Sequence, residues 1–77
     1  MGRSIHSSEQ RRLRALLVEA REKAGLTQAE VARRLRRPQS FVAKYEGNER
    51  RIDVIEFIQI AKALGADPRD LLAAVMN

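Results

Sequence analysis

Wound as a helix from Gln39 at about 100° per residue, the stretch PQSFVAKYEG sends Gln39, Ser40, Ala43 and Lys44 to one arc. Phe41, Val42 and Tyr45 fall on the other. An amide, a hydroxyl and an ammonium on one small face can donate and accept hydrogen bonds in several directions. Glutamine can bond N6 and N7 of adenine together, serine donates or accepts, and lysine reaches O6 and N7 of guanine. An α-helix also matches the width of the major groove of B-DNA. Two arginines, Arg50 and Arg51, wait just beyond the end of the helix. This is the chemistry of recognition. For catalysis the chain offers no Cys, no paired His and no phosphate-cradling Gly loop, so no catalytic residue is expected.

A framework must hold that face outward, and cap and stop signals outline it. Residues 1–6 read as a flexible N-terminal arm, with His6 a residue of the arm, and 7–77 as a single domain. Ser7 with Gln10 makes a capping box, whose side chains satisfy orphan N–H groups of the first turn. Leu13, Leu16, Leu17, Ala20 and Ala24 then recur at helical spacing until Gly25 stops the first helix. Thr27 with Glu30 opens a second helix, with Val31, Ala32 and Leu35 inward. Pro38 biases Arg37 away from helix and sets φ for a third helix, Gln39 to Glu46, which Gly47-Asn48 ends. Asp53 with Glu56 opens a fourth, with Val54, Phe57, Ile58, Ala61 and Leu64 inside and Gly65 as its stop. Asp67-Pro68 starts the fifth, where Leu71, Leu72, Val75 and Met76 face in. Period-two alternation never persists long enough for a strand, so the expected class is all-α. About three residues join the second and third helices, too few for an antiparallel pair. They must cross steeply, as a helix-turn-helix does.

Composition narrows the partners. A 77-residue chain is one domain with a marginal core. Without Cys there are no disulfides or thiolate metal sites, and one His leaves no usual zinc cluster. No metal, cofactor or small-molecule ligand is expected. Fifteen Lys and Arg against ten Asp and Glu give a net charge of +5, which suits a polyanion partner or plain solubility. Placement favours the former. Arg11, Arg12, Arg14, Arg33, Arg34, Arg36, Arg37, Arg50 and Arg51 lie in the first two-thirds, while the last twenty residues set Lys62 and Arg69 against Asp67 and Asp70. No apolar run approaches the roughly 20 residues that span a bilayer, and the N-terminus lacks a signal-peptide core. A cytoplasmic protein without membrane contact is expected.

Three segments, GLTQAEVARRL, PQSFVAKYEGNER and IDVIEFIQIAKALGADPRDLL, closely resemble the Cro/phage-repressor type (XRE-like) helix-turn-helix family. The resemblance runs roughly from Leu13 to Leu72. It rests on a TQxE helix start, a QS recognition start, an aromatic–Glu pair and an AKALG helix end in that order. It implies a five-helix lambda-repressor-like domain, in which the second and third helices form the helix-turn-helix. It further implies a sequence-specific transcriptional regulator, a repressor or controller, that binds a palindromic operator in double-stranded DNA as a homodimer. An antitoxin or adaptor that holds a partner protein such as a toxin is the alternative; the polar, cationic face favours DNA.

By the same resemblance, Gln39, Ser40 and Lys44 contact bases, while Thr27, Gln28, Arg50 and Arg51 contact phosphates. Gln28 also braces Gln39, and Arg21 pairs with Glu46. Phe41 belongs to the core rather than to a thymine methyl group. Arg33, Arg34, Arg36 and Arg37 read as a solvated face, one or two of them near the DNA backbone; Arg11, Arg12 and Arg14 read as solvated helix surface. Two positions depart from the family pattern. Arg36 stands where the turn typically has Gly, at a cost on the order of 1 kcal/mol if φ is positive. Asn48 takes the place of a second Gly and tolerates it.

One recognition helix reads too few base pairs to select against a genome. A two-fold pair reading half-sites about 34 Å apart remedies this. LLAAVM in the fifth helix carries more apolar side chains than one inward stripe needs. Leu72, Val75 and Met76, with Ala66 nearby, either meet their symmetry mates or close the monomer's core.

Overall fold

The computed structural model describes residues 7–77, so the expected arm and His6 lie outside the described residues. Within them the chain forms α1 (Ser8–Lys23), α2 (Gln28–Leu35), α3 (Gln39–Glu46), α4 (Val54–Ala63) and α5 (Pro68–Met76), with no strand. The starts follow from caps. Ser7 Oγ accepts from the Gln10 N–H at 3.1 Å. At Thr27 and at Asp53 both halves of the capping box are present, with Glu30 and Glu56 returning the bond. Asp67 accepts from the Arg69 N–H, and Pro68 supplies its preset φ.

The stops share one device. Leu26 N–H reaches Arg21 O, Arg37 N–H reaches Ala32 O, Glu49 N–H reaches Lys44 O, and Ala66 N–H reaches Ala61 O. Each bond folds the chain back over a spent helix end through one left-handed residue. Those residues are Gly25, Arg36, Asn48 and Gly65. Arg36 sits at φ 58°, ψ 42°. The turn therefore keeps the conformation that Gly would adopt without strain, and an arginine bears its cost.

The helices close around Leu17, Val31, Val42 and Ile60, which are fully buried, with Phe41, Tyr45, Phe57 and Leu71 around them. α2 packs on α3 and α4, while α1 packs on α5 and α3. Phe41 and Tyr45, one turn apart, meet edge to face at 5.4 Å between centroids. α3 is thus anchored by its apolar arc, and its polar arc is left outside.

Several expected core positions differ. Along α4 and its C-cap the buried apolar residues are Phe57, Ile60, Ala61 and Leu64, and Ile58 is half-buried. Val54, the first residue of α4, is 71% exposed. In α5 the covered side is Leu71, Ala74 and Val75. Leu72 and Met76 lie about 100° further round and are 47% and 82% exposed, so they do not face in. Ala24 is also exposed. The second of these shifts strips α5 of two presumed core residues and leaves them on the surface.

Candidate nucleic-acid interface

The arc predicted to read bases is outside. Gln39, Ser40, Ala43 and Lys44 are exposed, while Phe41, Val42, Tyr45 and Glu46 are buried. α3 starts at Pro38, which offers no capping side chain, and its first turn carries no acid. The arc therefore presents an amide, a hydroxyl and an ammonium without a carboxylate among them.

The acid at the end of α3 is neutralised by an arginine of α1 and further held by an amide of α2. Arg21 of α1 donates from Nε to Glu46 Oε2 at 2.8 Å and from Nη2 to Oε1 at 3.0 Å. Gln28 of α2 donates from Nε2 to Oε1 at 2.9 Å. Arg21 Nη1 also donates to Leu26 O in the turn between those helices. Such fork-to-fork pairing combines charge with fixed geometry, and the bond to Glu46 raises the guanidinium's already high pKa. Arg14 Nη1 donates to the backbone carbonyl of Glu46 at 3.1 Å, so Arg14 closes the C-terminus of α3 rather than lying on a solvated surface. Burial raises the Tyr45 phenol above its usual pKa, so it remains neutral. Without these partners Glu46 would set a bare negative charge beside the exposed polar arc of α3.

Gln28 does not brace Gln39; its amide nitrogen is held by Glu46. An ionised acceptor holds an amide N–H more strongly than another amide does, and one N–H and the oxygen of the Gln28 amide are left over. Thr27 is exposed and spends its backbone N–H on Glu30 Oε1 at 2.7 Å, while its hydroxyl oxygen accepts from the Glu30 N–H. A hydroxyl that accepts still has a proton to donate. That bonding holds the Glu30 carboxyl below its usual range.

A second acid organises the loop after α3. Glu56 closes the cap of α4 by accepting from the Asp53 N–H at 3.0 Å. It also accepts from Arg50 Nη1 and Nη2, both at 2.9 Å, and from Arg37 Nη2 at 3.1 Å. The Arg50 bonds, aided by the Asp53 N–H and by Arg37, outweigh burial and hold its carboxyl down to about 2. The Arg37 and Arg50 guanidinium carbons lie 4.2 and 4.7 Å from the centroid of the Phe41 ring, within cation–π range. Arg50, expected to reach outward to phosphate, is thus tied bidentately to Glu56. Arg51 is exposed.

Two further arginines, though exposed as their spacing suggests, close helix ends. Arg12 Nη1 donates to Val75 O and Arg34 Nη1 to Ala63 O, each at 2.8 Å, capping the last turns of α5 and α4. Cations at helix C-termini meet unpaired carbonyls and the negative end of the dipole.

The helix-turn-helix family pattern matches residues 17–71. An XRE-family like protein from Pseudomonas syringae pv. tomato str. DC3000 is 51% identical over 94% of this chain and 88% of its own, with a TM-score of 0.89. The chain belongs to the XRE-type helix-turn-helix family. The clp gene regulator ClgR of C. glutamicum shares the fold at a TM-score of 0.81, with 22% identity and 92% of each chain covered. No curated protein matches. Membership of the helix-turn-helix family supports a DNA-binding transcription regulator.

In this helix-turn-helix protein α2 and α3 are the paired helices, and Arg36-Arg37-Pro38 is the turn between them. Sequence reasoning missed the second role of Glu56. Its only local signal is the Asp53–Glu56 cap, which leaves a carboxylate with acceptor capacity to spare. Arg37, assigned to a solvated face, and Arg50 both use that capacity. Among the described residues no three His, Cys, Asp or Glu side chains gather to hold a metal. Nor is any helix there long and apolar enough to cross a membrane. Away from α3, Val54, Ile55, Leu72 and Met76 form exposed apolar surface. A shallow groove of about 140 Å³ lies there, lined by Leu13, Ile52, Asp53, Val54, Phe57 and Leu72.

Proposed function

We infer that the protein is a sequence-specific transcriptional regulator, a repressor or controller, that lays α3 in the major groove of a palindromic operator as a homodimer. The observation that carries this reading is the division of α3, with Gln39, Ser40 and Lys44 exposed on an acid-free arc and Phe41, Val42 and Tyr45 buried. Gln39, Ser40 and Lys44 read base edges. The Thr27 hydroxyl, the Gln28 amide and Arg51 approach phosphates, and Arg50 joins them from its seat on Glu56. Arg21 and Glu46 keep the end of α3 electrically quiet.

The dimer surface in this reading joins Leu72 and Met76 of α5, with half-buried Val75 and Ala66 at its margin, to Val54 and Ile55 of α4. Exposed apolar side chains, two of which, Val54 and Leu72, line one groove, favour a polypeptide partner there. The same surface is what an antitoxin or adaptor would use for a partner protein, so the DNA face separates the two readings. Selection from a random DNA pool should return a two-fold symmetric site. Six to eight neutralised phosphates per dimer should give a log–log slope of affinity against salt of about −5 to −7. A slope near zero, or no enriched sequence, refutes the DNA reading. Met76→Asp should abolish a dimer seen by sedimentation while leaving the monomer folded; an unchanged dimer removes α5 from the interface.

A further inference from the structure

Arg37 and Arg50 come from opposite ends of α3, one in the turn before it and one in the loop after it. Both guanidinium groups nevertheless converge on one acceptor, Glu56 Oε2, at 3.1 and 2.9 Å. Both also lie over one ring, that of Phe41. Two guanidinium groups thus face the Glu56 carboxylate, with the carboxylate of the Asp53 cap acting on Arg50 as well. The Glu56 side chain is 10% exposed, whereas those of Arg37 and Arg50 are 39% and 37% exposed. The carboxylate is sealed beneath two half-open cations.

An anion arriving from outside would add a second partner for the two guanidinium groups. A fork of N–H groups with fixed orientation is well matched to a phosphate. Arg37 commits Nη2 to Glu56, and a guanidinium carries five N–H donors in all. Arg50 spends Nη1 and Nη2 on Glu56, with Nη1 also reaching Arg51 O. Arg37 is therefore the less committed of the two.

We propose that Arg37 and Arg50, stacked on Phe41 and pinned by Glu56, form a clamp for one backbone phosphodiester beside the reading helix, with Arg37 as its principal donor. This rests on the DNA-binding reading above. Arg37 touches the phosphate; Glu56 and Phe41 are positioning residues that set the distance between clamp and bases. The clamp ties the register of the phosphate contact to Phe41, a residue of α3 itself, so backbone grip and base reading move as one body.

The test is a cycle between one protein charge and one DNA charge. Arg37→Gln removes the cation but keeps an N–H for Glu56, and Arg37→Ala serves as a second variant. Each is titrated against the selected operator and against duplexes with a neutral methylphosphonate at one backbone position at a time. The proposal expects one position in each half-site at which neutralisation weakens the wild type but leaves both variants unaffected. It also expects the salt slope of each variant to flatten by about 0.9 for each protomer bound, with the melting temperature of Arg37→Gln close to the parent's. A purely structural Arg37 would leave the slope unchanged and its effects additive at every position. That outcome overturns the clamp while DNA binding by the wild type still stands. Failure of the wild type to bind any duplex overturns the DNA reading itself, and the clamp with it.

Discussion

Arg21→Ala isolates the contact that joins α1 to the end of α3. The wild-type side chain makes two bonds to Glu46 and one to Leu26 O. Its removal leaves the carboxylate, 6% exposed in its side chain, with the Gln28 amide as its remaining partner from another helix. Breaking a buried pair from one side costs about 3–5 kcal/mol, most of it from the stranded charge. Arg21 is itself 16% exposed, so water can enter the space and the lower end applies, about 3 kcal/mol. For a domain of this size each kcal/mol moves the melting temperature by about 4–8 °C. A drop of roughly 12–24 °C is expected by circular dichroism, with a matching loss in urea. Because the cost lies in the stranded charge, adding Glu46→Gln to Arg21→Ala should recover half or more of it. A fall of less than about 4 °C, or a double variant no better than the single one, refutes the buried-charge account.

Glu56 predicts a pH dependence. Its carboxyl is held at about 2 against an ordinary 4.5, so its stabilisation is full above about 4.5 and is lost as pH falls towards 2. At 1.36 kcal/mol per unit the shift corresponds to about 3 kcal/mol; solvent access to Arg37 and Arg50 reduces that to roughly 1–2 kcal/mol. The gap in urea stability between wild type and Glu56→Gln should narrow by somewhat more than half of that amount between pH 6 and pH 3, and a constant gap contradicts it. Arg36→Gly should raise stability by about 0.5–1 kcal/mol, because φ 58° strains any residue with a Cβ; a lower melting temperature would mean that the side chain more than offsets its strain. Gln39→Ala should cost roughly 1–3 kcal/mol at the selected operator and relax preference at one base pair, whereas Arg51→Ala should weaken all sequences alike and flatten the salt slope. Identical profiles for both variants across a panel of sites would refute that division of labour.

Helix order, starts and stops, and the two arcs of α3 were all legible in the sequence, because each is a local property. A cap acts over three residues, a left-handed stop over one, and the apolar period over a turn. Even Arg36, which lacks the expected Gly, keeps the left-handed turn, since the bond from Arg37 N–H to Ala32 O needs it. Which side of α4 and α5 would be covered was less legible. Val54, Leu72 and Met76 are as apolar as their buried neighbours, and burial depends on where another helix ends. The partners of the arginines were decided by tertiary structure alone. Glu56 reads locally as a helix cap, yet it also receives Arg37 from 19 residues away and Arg50 from six. Gln28 turns to Glu46, 18 residues on, instead of to Gln39. A guanidinium on a long stem can reach many acceptors, and helical periodicity does not distinguish a carbonyl at a helix end from a carboxylate or a phosphate. The choice falls to whichever unpaired acceptor the packed helices bring within about 3 Å.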